Sequence, residues 1–128
     1  MIEHFSVDPN TKFFISHCGQ NSLTEAIYAG VPLICIPNMV DQFLNASLVE
    51  HLGIGIYVSL VWRDNENKAH RNPNFEVEFI NAVAEMFKEG NRYQQAITEL
   101  RDKILSNYNN GFTAKNVFLQ TIKSVVGV

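Results

Sequence analysis

The segment from Lys12 to Pro37 constrains the fold more tightly than any other part of the chain. Lys12-Phe13-Phe14-Ile15-Ser16 follows a polar lead-in (Asp8 to Thr11) and is short, aromatic and β-branched, so it reads as a buried strand. A glycine-containing polar turn, His17-Cys18-Gly19-Gln20, comes next. From Asn21 or Ser22 to Ala29 the spacing predicts a helix with Leu23, Ala26 and Ile27 on one side, stopped by Gly30 and Pro32. Leu33-Ile34-Cys35-Ile36 then reads as a second buried strand closed by Pro37. Strand, helix and strand in this order form a βαβ unit, which demands a parallel sheet and a right-handed crossover.

The remainder extends the same architecture. A helix is expected from about Gln42 to His51, with Leu44, Leu48, Val49 and Leu52 apolar and Gly53 as its stop. Ile54-Gly55-Ile56-Tyr57-Val58 supplies a third strand, whose neighbouring glycines suggest backbone crowding or a bend. Trp62 to Asn74 is polar and aperiodic and reads as a surface loop. Helices are expected over Phe75–Lys88, with Phe75, Phe79, Ile80, Val83 and Phe87 at helical spacing, and over Asn91–Tyr108, with Tyr93, Ile97, Leu100 and Ile104. A last helix is expected from about Thr113 to Val125. No repeat or linker divides the chain, so residues 1–128 read as one α/β unit.

Composition narrows the function classes. At 46% hydrophobic, 128 residues can bury a core, which excludes a disordered chain. Ten Lys+Arg against 13 Asp+Glu, with no basic run, leave no footprint for a nucleic-acid backbone or an anionic membrane. No stretch approaches a membrane span and Met1-Ile2-Glu3-His4 lacks the shape of a signal peptide, so the chain as given reads as soluble. Two cysteines, Cys18 and Cys35, cannot build a disulfide framework and suit a reducing compartment at least as well as an oxidising one.

In open parallel sheets ligands sit beyond the carboxyl ends of the strands. His17 to Ser22 lies at that end of the first strand and Asn38 to Gln42 at that end of the second, so both loops line one crevice. Gly19 admits a ligand close to the backbone, and Asn21 and Ser22 open a helix whose N–H groups and positive dipole end attract a phosphate. His17 adds a ring donor that can be neutral or charged near neutral pH. Glu25, one turn beyond Ser22, can accept from a diol such as a ribose, and Asp41 with Gln42 supplies acceptors and donors suited to sugar hydroxyls. These residues point to a nucleotide or phosphosugar site.

Each of them also has a structural reading. Ser22-Leu23-Thr24-Glu25 fits a capping box, in which Glu25 returns a hydrogen bond to its own helix start. Asp41 is a good N-cap for the second helix, and a histidine at a strand end is often structural. A capping carboxylate can keep one oxygen for a ligand, so the two readings coexist. Cys18 near a helix start could be an activated nucleophile, but no second His or acid is paired with it. His4, His17, His51 and His70 with the cysteines show no metal-ligand spacing. Asn45-Ala46-Ser47 matches the glycosylation tripeptide but falls inside a predicted helix, and Phe79, Phe87 and Phe118 read as core.

The run Phe13 to Ala26, followed by Gly30-Val31-Pro32-Leu33, Pro37, Asp41-Gln42 and Asn45, resembles the signature of the UDP-glycosyltransferase family. Phe112 to Val125 resembles more weakly the family's closing helix. The resemblance implies two facing Rossmann-like domains of the GT-B type, the chain being the later part of the C-terminal, UDP-sugar-binding domain and incomplete at its N-terminal side. Carried over by position, it implies that His17, Gly19, Asn21 and Ser22 contact the diphosphate, that Glu25 binds the ribose hydroxyls, and that Asp41 and Gln42 hold the donor sugar.

The implied reaction is inverting transfer of a hexose or glucuronic acid from a UDP-sugar to the hydroxyl of a small lipophilic acceptor, with no metal or other cofactor. The catalytic His, the acceptor site and the upstream Trp and Gln segment against the uracil are absent from this chain. The resemblance therefore assigns no catalytic residue here and implies that the chain alone is inactive. A different reading keeps the nucleotide site but makes the chain a non-catalytic binding module. Lipid-linked bacterial-type glycosyltransferases are a further relation, against which Asp41-Gln42 favours the UDP-glycosyltransferase branch. Animal members continue into a membrane span and basic tail and are anchored in the endoplasmic reticulum, whereas this chain stops at Gly127-Val128. Gln20 stands where plant members usually carry Trp. A half-domain would leave a sheet edge uncovered, so marginal stability or self-association is expected.

Overall fold

The structure is a computed structural model in which residues 10–108 are described; the helix expected over about Thr113 to Val125 lies outside them. Three parallel strands form the sheet in the order β1 (Phe14–Ser16), β2 (Leu33–Cys35), β3 (Gly55–Tyr57), with Ile15 opposite Ile34 and Ile34 opposite Ile56. Helix α1 (Gln20–Ala29) joins β1 to β2 and α2 (Val40–Leu52) joins β2 to β3. The predicted βαβ order is therefore realised twice.

The central strand shows how the sheet is covered. Leu33 and Cys35 belong to a core cluster with Leu23, Ala26 and Ile27 of α1 and Ala46 and Val49 of α2. Ile34 belongs to a second cluster with Val58, Ala82 and Met86. Alternate side chains of a strand point to opposite faces, so β2 is buried on both. Helix α3 (Phe75–Met86) supplies the second face, and α4 (Arg92–Tyr108) sends Ile97, Leu100 and Ile104 into the first cluster and Tyr93 into the second. The apolar stripe read for α4 is the one buried.

Backbone turns explain the close packing. Gly30 ends α1 with φ 71°, and Val31 N–H donates to the Ala26 carbonyl at 3.0 Å in a left-handed helix stop. At Gly55 a Cβ would collide with the Leu33 carbonyl and stand 2.6 Å from Val49 Cγ1, so the crowding expected at β3 is a direct approach of strand to strand and helix.

Several expectations are corrected. Strand β1 is only half-buried, because it forms the edge of the described sheet and leaves Ile15 54% exposed. The stretch expected to be a loop contains an antiparallel hairpin, β4 (Val61–Arg63) with β5 (Ala69–Arg71). Asp64 Oδ1 accepts from the Glu66 and Lys68 amides, both at 2.9 Å, Asn67 turns the chain at φ 64°, and Trp62 stacks on His70 at 4.5 Å. In α2 the sheet-facing residues are Ala46 and Val49 while Leu44 is exposed. In α3 they are Ala82 and Met86, leaving Ile80 and Phe87 exposed; Phe87 meets the edge of Phe13 at 5.3 Å rather than entering the core. Helices α1 and α2 also begin one or two residues earlier than predicted.

Candidate functional site

Because β1 and β2 are parallel, the chain leaves both at the same edge of the sheet, and the loops into α1 and α2 meet there. The loop after β1 is built around Cys18, a fully buried residue in the left-handed region at φ 69°. Its N–H donates to Ser16 Oγ at 2.9 Å, and its carbonyl accepts from Asn45 Nδ2 of α2 at 2.9 Å. Its sulfur is bonded to Cys35 at the end of β2, with the Cα atoms 5.5 Å apart. That bond pairs two cysteines whose number alone did not point to a disulfide, and it agrees with setting Cys18 aside as a nucleophile. The cysteines are paired, and neither is a free thiolate available as a nucleophile.

Past Cys18 the chain enters α1 through Gly19, which adopts extended geometry (φ −65°, ψ 160°) and places no side chain over the helix start. The first intrahelical bond runs from Leu23 N–H to the Gly19 carbonyl at 3.0 Å. The amides of Gln20, Asn21 and Ser22 precede it and receive no side-chain cap. The capping box expected from Ser22 and Glu25 does not form, since the N-cap is Gly19 and Ser22 already lies inside the helix. Glu25 is exposed, as are His17, Asn21 and Ser22. Gln20 folds onto its own helix, donating through Nε2 to Thr24 Oγ1 at 3.1 Å.

The second loop closes differently. Met39, not Asp41, is the N-cap of α2, and Asp41 sits in the first turn, where its charge suits the helix dipole. Gln42 Oε1 accepts from the amides of Asn38 at 2.9 Å and Met39 at 3.1 Å. The oxygen of Gln42 is thus spent on the chain, while Asp41 is exposed. Two residues that the sequence did not single out for a role hold the site together: Ser16 and Asn45, which bond the two ends of Cys18. Asn45 heads the glycosylation tripeptide, and its amide nitrogen is engaged with the Cys18 carbonyl. Among the described residues no group of three His, Cys, Asp or Glu could hold a metal ion, and no helix is long and apolar enough to cross a membrane.

Of the perturbed groups, Tyr57 stands at this end of the sheet, opposite Cys35 at the close of β3, while Asp64 and Glu85 stand outside the two loops. The His70 ring bonded to Asp64 Oδ2 at 2.7 Å holds the Asp64 carboxyl below its ordinary value, helped by the Lys68 and Glu66 amides. Lys88 lowers Glu85 in the same way at 2.7 Å, and burial with Glu50 nearby raises Tyr57.

The sequence profile of the UDP-glucoronosyl and UDP-glucosyl transferase family matches residues 4–70, just over half of the chain and all of this edge. The chain belongs to that family. As a UDP-glycosyltransferase family member it is 37% identical over 94 residues to the solanidine UDP-glucose glucosyltransferase 1 of Solanum tuberosum, covering 73% of this chain and 19% of that protein. It is 38% identical over 87 residues to the nuatigenin 3-beta-glucosyltransferase of Solanum aculeatissimum, covering 67% and 18%. The crystal structure of Os79 from O. sativa in complex with UDP superposes with a TM-score of 0.59 at 32% identity, over 87% of this chain and 24% of that one. This UDP-glycosyltransferase chain therefore spans less than a quarter of the length of these relatives, and its α/β fold superposes on part of the Os79 structure.

Proposed function

We propose that the chain is the donor-binding portion of an inverting UDP-glycosyltransferase that transfers a hexose or glucuronic acid to the hydroxyl of a small lipophilic acceptor. The observation that carries this reading is the uncapped start of α1, with exposed His17 beside it and Asp41 on the same edge of the sheet. Residues 1–128 then form the later part of a C-terminal domain. The Os79 structure holding UDP supports the choice of nucleotide, and relatives named for solanidine and nuatigenin support an acceptor of that size.

The diphosphate would lie against the amides of Asn21 and Ser22, with Gly19 allowing close approach and His17 donating to a phosphate oxygen. Glu25 would accept from the ribose hydroxyls. Asp41 would accept from the donor sugar, and Gln42 would offer it the amide nitrogen left over from its cap. In the transfer, an acceptor hydroxyl loses its proton to a base outside this chain and forms a bond to the anomeric carbon. The bond from that carbon to the diphosphate breaks with inversion, and its electron pair leaves with UDP. Negative charge grows on the leaving diphosphate, so donors already aimed there favour the transition state over the ground state. No step requires a metal, and the chain alone is expected to be inactive.

Titration of the chain with UDP, followed by the backbone amide signals of Gly19 to Ser22, tests the site. Selective shifts in those amides support it, and unchanged signals sink it. Sugar transfer by this chain alone would overturn the assignment of the base to another part of the protein. We also infer self-association through the outer edge of β1, where Ile15 is exposed. A monodisperse monomer in sedimentation, with a sharp cooperative melt, counts against that.

A further inference from the structure

We propose that Asn45 is a positioning residue for the donor site: it holds the His17–Ser22 loop in its ligand-receiving form and fixes that loop against Asp41 and Gln42. The inference rests on the donor-site reading above, to which it adds a residue that touches no ligand.

The argument starts from Cys18. A non-glycine residue in the left-handed region costs on the order of 1 kcal/mol or more and persists only where its surroundings over-determine it. Three links do so here. Ser16 Oγ takes its N–H, Cys35 takes its sulfur, and Asn45 Nδ2 gives a hydrogen bond to its carbonyl. The first two come from β1 and β2, which are already paired in the sheet. Only Asn45 comes from α2, the helix that carries Asp41 and Gln42 in its first turn.

The bond is placed where it matters. The Cys18 carbonyl belongs to the peptide whose nitrogen is the Gly19 N–H, so its orientation fixes the plane that leads into α1. Gly19 imposes no orientation of its own, because it adopts ordinary extended geometry in open space. Asp41 lies one helical turn before Asn45 and Gln42 three residues before it, so a single hydrogen bond sets both against the diphosphate loop. Losing the donor leaves the carbonyl of a fully buried residue without its partner.

Asn45→Asp is the discriminating variant, since it keeps the shape and can donate to the Cys18 carbonyl only while protonated. Beside that carbonyl and partly buried, the new carboxyl should titrate above its usual range. The measurement is an NMR titration of the chain with UDP, reading the Gly19 to Ser22 amides, at about pH 7.5 and about pH 4, on either side of a raised carboxyl. Asn45→Asp should bind UDP about tenfold more weakly than the native chain at the higher pH, with the gap closing at the lower one. Ser47→Ala, which removes the glycosylation tripeptide, should bind as the native chain does.

Equal affinity at the higher pH, or a deficit that acidification leaves unchanged, overturns the proposal. Should Asn45→Asp give no dispersed spectrum, Asn45→Ser takes its place; weakened binding with native shifts outside residues 16–22 and α2 supports the role, and native affinity overturns it. If the native chain shows no response to UDP, the donor-site reading fails, and the ligand-free amide positions still decide the Asn45 inference. They must shift in Asn45→Asp at the higher pH and return on acidification, and amides that stay in place overturn it.

Discussion

The two loops that meet at the carboxyl edge of the sheet have the same ancestry in the fold and opposite endings. Each leaves a parallel strand and opens a helix, yet α1 starts at Gly19 with no side-chain cap, while α2 starts with Gln42 accepting from the Asn38 and Met39 amides. An open helix start presents free N–H groups and the positive end of a dipole; a capped one has used some of those donors. The first loop can therefore bind an anion through an unobstructed helix start, whereas in the second Gln42 already holds the Asn38 and Met39 amides and the exposed Asp41 carboxylate stands in the first turn. That division suits a ligand that sets a charged diphosphate beside a hydroxyl-bearing sugar.

The comparison breaks most visibly at His17. In the complete enzyme, His17→Ala should lower kcat/KM by about a hundred- to a thousandfold, the scale of one missing donor at a developing oxyanion. Turnover near that of the native enzyme would remove His17 from the site. The residue is exposed, so its loss should leave the melting temperature nearly unchanged.

Closing the open helix start should set stability against binding. A Cβ at Gly19 meets nothing within 4 Å, and its backbone is that of an ordinary N-cap, so Gly19→Asp is sterically accepted. The new carboxylate would cap α1 and stabilise the chain by a few tenths of a kcal/mol relative to glycine. It should also weaken UDP binding by about tenfold or more, because it occupies the amides and repels phosphate. A variant that melts higher and still binds UDP as before would mean that the open start is not used.

The reverse experiment concerns the capped loop. Gln42→Ala frees the Asn38 and Met39 amides and should cost about 1 kcal/mol in a denaturant melt. Binding of UDP itself, which carries no sugar, should change less than binding of a UDP-sugar. Comparable losses for both ligands would erase the proposed division between the loops.

The smallest effect lies away from both loops. His70→Ala should raise the Asp64 titration toward the ordinary aspartate range, read from its carboxyl carbon by NMR, with UDP binding unaltered. The sign follows from a lowered folded-state value. Asp64 supports the hairpin above the ordinary aspartate pKa and loses that support as pH falls through its own, lower one. An unmoved Asp64 titration would discount the His70 bond.

Much of this architecture is legible along the chain because it rests on local signals. Phe13–Ser16 and Leu33–Ile36 are short apolar runs, Gly30 and Gly53 stop their helices in the left-handed region, and the Tyr93, Ile97, Leu100, Ile104 stripe of α4 is buried as spaced. The hairpin was not legible. Its strands are three residues each and rich in charge, and what holds them is the Asp64 side chain, the Asn67 turn and the Trp62–His70 stack. Helix faces are likewise not legible where several apolar residues compete. Small Ala46 and Ala82 let the helices approach the sheet, and this turns larger Leu44, Ile80 and Phe87 outward.

The residues of the candidate site divide in the same way. Their types, and their gathering at one edge, follow from sequence order alone, since a βαβ unit always delivers its strand-to-helix loops to the same side of the sheet. Which of two capping patterns forms, which cysteines meet, and which side chain reaches across to a strained loop depend on atoms far apart in the chain. Ser22 with Glu25 matches a capping box that Gly19 preempts, and Asp41 looks like a cap whose place Met39 takes. Asn45 and Cys18 are 27 residues apart and meet only because α2 packs beside β2 and β3. Local chemistry thus determined the family, the sheet and the list of polar groups. Tertiary packing decided which of those groups are already used by the chain and which remain exposed to a ligand.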